Sequence, residues 1–169
     1  MKSLRWLLIF IFYLFNSNCF GLNEELPTKS ECDVLVKTFF RLTHKEQLEQ
    51  FSVIGVDRKY VIYICGMRAI HPQTLHLADA FSKEGEFAFP FLAKKILKTQ
   101  SDASFREILY VLSEMQRRKT YDVVSEKALM LYVEKRATEI QDKFWREYAQ
   151  KLVIEMQRGA NLSNAPSPK

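Results

Sequence analysis

Ile140, Phe144, Tyr148, Leu152 and Met156 recur every four residues, with Trp145 and Ala149 beside them. That spacing lines one face of an α-helix and fits no strand, in which residues two apart share a face. Glu139 and Lys143, Asp142 and Arg146, Glu147 and Lys151 stand four apart on the other side. Such pairs support a solvated helix face by about 0.3 kcal/mol each. The helical period runs back through the chain and predicts an all-α protein, a compact array of six to eight antiparallel helices. At 47% hydrophobic, with 13 Phe and 7 Tyr in 169 residues, the chain has material for one packed core. It is too apolar for disorder, and 5 Gly and 5 Pro exclude collagen-like and low-complexity classes.

Capping signals divide the period into elements. A first helix is expected from Ser30 to Leu42, with Cys32, Leu35, Val36 and Phe39 facing inward. Thr43 and Glu46 have capping-box spacing and open a second, which ends near Gly55. Asp57 is expected to cap a third, with Tyr60, Val61, Ile64 and Cys65 on one face. Tyr60–Ile64 is β-rich in composition but has no turn-flanked partner run, so it is read as helix. Gly66 or His71-Pro72 ends it. Pro72 suits the first turn of a fourth helix, whose apolar row is Leu75, Ala78 and Phe81. Gly85 suits the position just past its end.

The fifth helix is expected over Glu86–Lys98, with Phe87, Phe91, Leu92, Ile96 and Leu97 as its apolar members. Pro90 begins its regular part or bends it. Phe89 points off that face, either covered by the fourth helix or left as part of a binding patch. Ser104 and Glu107 repeat the capping-box spacing and open a sixth helix that runs to Arg118. Phe105, Ile108, Leu109, Leu112 and Met115 give it a wide apolar face, which makes it central. A turn over Lys119–Asp122 follows. The stretch Val123–Arg158 is long for one helix and is expected to break near Thr138–Asp142. Gly159 should stop it, closing a helical domain over 30–159 and leaving 160–169 as a disordered tail.

The chain opens with Lys2 and Arg5, the apolar run Trp6–Phe15, then small and polar residues. This is the layout of a secretory signal peptide over 1–21, followed by a polar lead-in over 22–29. The run is too short to span a bilayer, and an uncleaved anchor is the competing reading. Ser17 and Cys19 suit the small positions before a cleavage site; cleavage after Gly21 also fits. Cys19 raises a lipoprotein option, against which Asn16 and Asn18 stand where a Leu and a small residue are usual. Membrane attachment is therefore expected only through lipidated Cys19 or a retained N-terminal segment. Losing residues 1–21 takes away Lys2 and Arg5 and no acid, so the formal charge falls from +5 to +3. That excess, without a basic stripe or recognisable module, is no nucleic-acid footprint.

Without Cys19, Cys32 and Cys65 form an even pair, each on the apolar face of its own helix. An oxidising compartment lets them bridge, and the closed loop is worth about 3 kcal/mol. Two buried free thiols are the plainer alternative. No C-x-x-C occurs, so neither a redox motif nor a zinc knuckle is expected.

Pro90, Leu92, Ile96, Asp102, Phe105-Arg106, Leu109 and Leu112 stand in the order of a proline-bearing helix, an acidic turn and a second helix opened by an apolar-Arg pair. Residues 86–118 thus resemble one HEAT-repeat hairpin, with a turn longer than is usual. The resemblance implies hairpins that stack their faces and expose a surface to other proteins. A second copy is not evident, and one repeat does not make a solenoid. The segment from GEFAFPFLAKKILK to FREILYVLSEMQRRKTYDV also resembles small exported all-helical bacterial proteins that offer no activity to carry over.

Chemical signatures are sparse. The histidines are His44, His71 and His76, and His76 stands three residues before Asp79; without a recognised ligand spacing, no metal and no cofactor is expected. Hydrolase elbows and phosphate-cradling glycine loops are missing from the sequence. A helical muramidase needs a buried Glu with a raised pKa. Glu107 and Glu114 flank the apolar face of the sixth helix, but are read as a capping residue and a solvated one, so no enzyme is expected. Arg117, Arg118 and Lys119 end that helix, and Lys94, Lys95 and Lys98 end the fifth, where the helix dipole favours cations. The sharper reading is a basic patch over Arg117, Arg118 and Lys119 that meets anionic lipid, cell-wall polymer or an acidic protein face. Together these features point to an exported, periplasmic or extracellular helical domain that binds another protein, of the inhibitor or immunity type. The alternatives are a small periplasmic hydrolase or cell-wall enzyme with an unrecognised site, and a structural lipoprotein.

Overall fold

A computed structural model of the chain describes residues 26–70 and 74–163. The readings placed on 1–25, on His71 and Pro72, and on 164–169 lie outside the described residues. Among the described residues there are eight α-helices, three short 3-10 turns and no strand. The helices are α1 (Lys29–Lys37), α2 (His44–Val53), α3 (Val56–Ala69), α4 (Leu75–Ser82), α5 (Phe89–Lys98), α6 (Asp102–Arg118), α7 (Lys127–Thr138) and α8 (Lys143–Ser163). The all-α expectation holds. None of these helices is long and apolar enough to cross a membrane.

Local chemistry sets most of the boundaries. Thr28 and Glu31 form a capping box that opens α1, and Thr43 and Glu46 form the expected one on α2. Each glutamate accepts from a threonine N–H and hydroxyl, which holds its carboxyl below the ordinary range. The first helix is shorter than expected: α1 stops at Lys37, and Phe39–Arg41 continues as a 3-10 turn. Gly55, not Asp57, caps α3, and Asp57 sits within its first turn. Gly66 lies inside α3 rather than at its end. A Cβ there would meet the Phe40 ring at 2.9 Å, so close packing explains a glycine in mid-helix.

The fourth helix starts at Leu75, later than a start at Pro72 would give. Its inward row is Leu77, Ala78 and Phe81; Leu75 is exposed. Gly85 has φ +46° and opens a 3-10 turn against the Thr120 backbone carbonyl. That backbone and that approach both require glycine. Pro90 lies in the first turn of α5, where its missing N–H leaves no broken bond. Phe87 departs from its expected role, and Phe89 takes the covered one of its two alternatives. Phe87 is exposed, whereas Phe89 is buried and stacked on Tyr121 at 3.8 Å. Leu97 is also exposed.

The central element is α6, which packs on α4, α5 and α8 and also touches α3. Phe105, Ile108, Leu109, Leu112 and Met115 are fully buried, as expected of a middle helix. Its start differs from the expected one. Ser101 is the N-cap and accepts from the Ser104 N–H, so Ser104 and Glu107 are interior positions. Lys119 ends α6 in the left-handed region, φ 59°. The C-terminal stretch breaks where expected, between Thr138 and Lys143. Ile140, Leu152 and Met156 are buried, but Phe144 is exposed. The ion pairs on α8 form in the other register, Lys143 with Glu147 and Lys151 with Glu155, while Arg146 donates to the Ile140 carbonyl. Gly159 does not stop α8, which continues to Ser163, into the expected tail.

A disulfide joins Cys32 on α1 to Cys65 on α3, with the Cα atoms 5.1 Å apart. The expected bridge is present. A buried ion pair ties α3 to the turn after α4: Lys59 Nζ meets the Glu84 carboxylate and also donates to the Ser52 carbonyl at 3.4 Å.

Candidate functional site

The face shared by α6 and α8 carries two adjoining hollows. Each is lined by Tyr110 of α6 and Tyr148 of α8. The larger, about 480 Å³, runs toward the C-terminal end of α6, between Glu114, Arg117 and Lys119 on one side and Lys151, Leu152 and Met156 on the other. The smaller, about 290 Å³, is lined by Met67, Leu75, Arg106, Glu107, Phe144 and Trp145 as well as the two tyrosines. Together they form one groove, aromatic in its middle and charged toward one end.

Glu107 is the unusual group. It is 7% exposed, yet it lines the smaller hollow. Burial pushes its carboxyl up to about 7, and the Arg106 and Arg68 guanidinium groups offset only part of that effect. Neither guanidinium bonds to it. Arg68 Nη2 donates to Ser104 Oγ at 2.6 Å. Arg106 donates from Nε to the Asp102 carbonyl at 3.3 Å and lies 3.7 Å above the Trp145 ring. Among the described residues, Glu107 gains its fixing bond through the backbone, where its carbonyl accepts from the Tyr63 hydroxyl at 3.0 Å. Aromatic rings wall the hollow around it. Trp145 meets Phe144 edge-on at 4.8 Å and Tyr148 at 6.0 Å. The Tyr148 hydroxyl is held up to about 12 by burial first, then by Tyr110 and Glu107.

Arg117, Arg118 and Lys119 do sit together at the end of α6. Two of the three charges are already met: Arg117 makes a two-point pair with Glu114, and Arg118 pairs with Asp79 of α4 and with Glu114 at 3.3 Å. Glu114 is therefore no solvated bystander; it anchors both arginines. The outward charge of this corner is smaller than the sequence suggests. Lys95 of α5 lies over the Tyr60 ring at 4.9 Å.

His76 and Asp79 are not brought together toward a metal. Asp79 faces Arg118, whereas His76 stacks on His44 at 4.3 Å and bonds Gln47 Oε1 at 2.8 Å. Gln47 donates its own amide nitrogen to the Leu42 carbonyl, so its oxygen faces the ring and His76 Nε2 must donate. Burial first, and His44 second, lower the His76 pKa. Among the described residues, no three His, Cys, Asp or Glu gather as a metal site.

Sequence reasoning missed Glu107 because the match to a capping box placed it at a helix start. The spacing held a contrary signal: Ser104, Glu107, Val111 and Met115 run at i, i+3, i+7 and i+11, and the other three are fully buried. Comparison with family models, curated proteins and solved structures finds no match to this chain.

Proposed function

We propose that this chain is an exported helical protein-binding domain, of the inhibitor or immunity type, that receives its partner along the groove between α6 and α8. The groove is the observation that carries the reading. It leaves Phe144 66% exposed beside half-buried Trp145 and Tyr148, with Arg117 and Lys151 at the charged end. An aromatic centre with a charged rim is the anatomy of a specific interface. The disulfide fits an oxidising compartment. The HEAT-like reading of residues 86–118 belongs to the same proposal, since its second helix is α6, one wall of the groove.

Capture from the native envelope by the tagged chain, with intact mass read on the same sample, tests this. A protein held by the wild type and released by Phe144→Asp and by Lys151→Glu is the expected result. Retention that ignores both substitutions, or no retention above a mock column, would overturn it. Binding through the charged end should also weaken as salt rises.

A small glycan-cleaving hydrolase is the second reading, and Glu107 favours it. A buried carboxyl poised near 7 suits a general acid. That chemistry also needs a second carboxylate facing the same bond. Glu114, two turns along α6, is committed to Arg117 and Arg118. Glycan hydrolysis lost in Glu107→Gln would establish this reading in place of the first.

A further inference from the structure

We infer that the hollow beside Glu107 is a binding site for a neutral saccharide, with one sugar ring seated against Trp145 and Tyr148 and its hydroxyls bonded to the Glu107 carboxyl. Among the described residues the Glu107 side chain takes no bond from a neighbour, and what surface it keeps opens on the hollow that it lines. Glu107 is 7% exposed, and both nearby guanidiniums are turned elsewhere, to Ser104, to the Asp102 carbonyl and to the Trp145 face. Its carboxyl is open to whatever fills the hollow, water or a ligand.

The surroundings select the ligand's chemistry. Arg106 and Glu107 both line the hollow, and once the carboxyl ionises their opposite charges leave neither a cation nor an anion strongly favoured, which suits a neutral polar molecule. A flat heterocycle is best held between parallel rings, but the rings here stand at 76° and 84° to one another. Walls at right angles fit a puckered ring, whose C–H face lies on one aromatic while its hydroxyls reach outward at the edge. A planar carboxyl and a guanidinium then offer the acceptor and donor that such hydroxyls need. Apolar walls with a few placed polar groups are the usual make-up of a small-ligand site.

This inference does not rest on the protein partner, and it is read by a different signal. The test titrates the full chain with neutral trisaccharides of β-linked N-acetylglucosamine, β-linked glucose and α-linked glucose, following the Trp145 indole N–H by NMR. At least one sugar is expected to shift that resonance saturably at millimolar concentration. Glu107→Gln, which keeps the shape of the side chain, should weaken that sugar about tenfold. Trp145→Ala should abolish the binding, followed there by calorimetry, with the helical circular dichroism checking the fold. The idea is overturned if none of the three sugars shifts the resonance, if Glu107→Gln binds as tightly as the wild type, or if lysine amide or adenosine binds the hollow more tightly than every sugar.

Discussion

Lys59 on α3 and Glu107 on α6 are both ionisable groups in the interior, 3% and 7% exposed, and the fold treats them in opposite ways. Lys59 meets Glu84, donates to the Ser52 carbonyl and lies 5.8 Å from the Phe51 ring. Its surroundings answer its charge completely. Glu107 has two cations near it and takes a bond from neither. The difference separates a region whose interior charge is paired, around α3 and the turn after α4, from one whose interior carboxyl is left open, between α6 and α8.

The largest expected effect comes from breaking the satisfied pair. Glu84→Ala leaves Lys59 buried without its counter-charge and should cost about 3–5 kcal/mol, read as a lower urea midpoint. A change below about 1 kcal/mol would show that water reaches Lys59 and would dissolve the contrast. Removing the disulfide with Cys32→Ala and Cys65→Ala should cost about 3–4 kcal/mol, because its residues are 33 apart in sequence and the open loop regains that freedom when unfolded.

Glu107→Gln should act in the reverse direction. The folded carboxyl titrates near 7 rather than 4.5, so the protonated form is the one folding favours. Stability is then complete below the unfolded value, falls as pH rises from about 4.5, and levels off above about 7. The amide removes that loss, and the variant should gain up to about 3 kcal/mol at pH 8 while gaining little at pH 4. Equal stability changes at both pH values would mean that the carboxyl is not held protonated. The smallest effect belongs to the solvated side of α8, where Lys151→Ala should cost no more than about 0.5 kcal/mol despite its pair with Glu155.

Much of the scaffold was legible before any coordinates. The capping box at Thr43, the break after Thr138 and the buried face of α6 each follow from a local rule, and each is where that rule puts it. The departures have different causes. Phe89 and Phe87 are equally apolar, and only the position of Tyr121 decides which one finds a stacking partner. Ser104 matches a cap in its spacing to Glu107, but Ser101 takes the cap and pulls the helix start back three residues. Gly159 lacks a tight turn beyond it, so α8 runs on.

The groove was the least legible feature, because its members come from four helices. Met67, Leu75, Glu107 and Trp145 lie on α3, α4, α6 and α8. No spacing within one helix announces such a meeting.

What the amino-acid order determined alone was helix: periodicity, caps and breaks act over three or four residues, and neighbours in sequence settle them. It also placed Cys32 and Cys65 on inward faces, ready for a bond. Which charge is answered and which is left open was decided only in the tertiary structure. Burial is a property of what surrounds a group, and the surroundings of Glu107 are assembled from residues far apart in the chain.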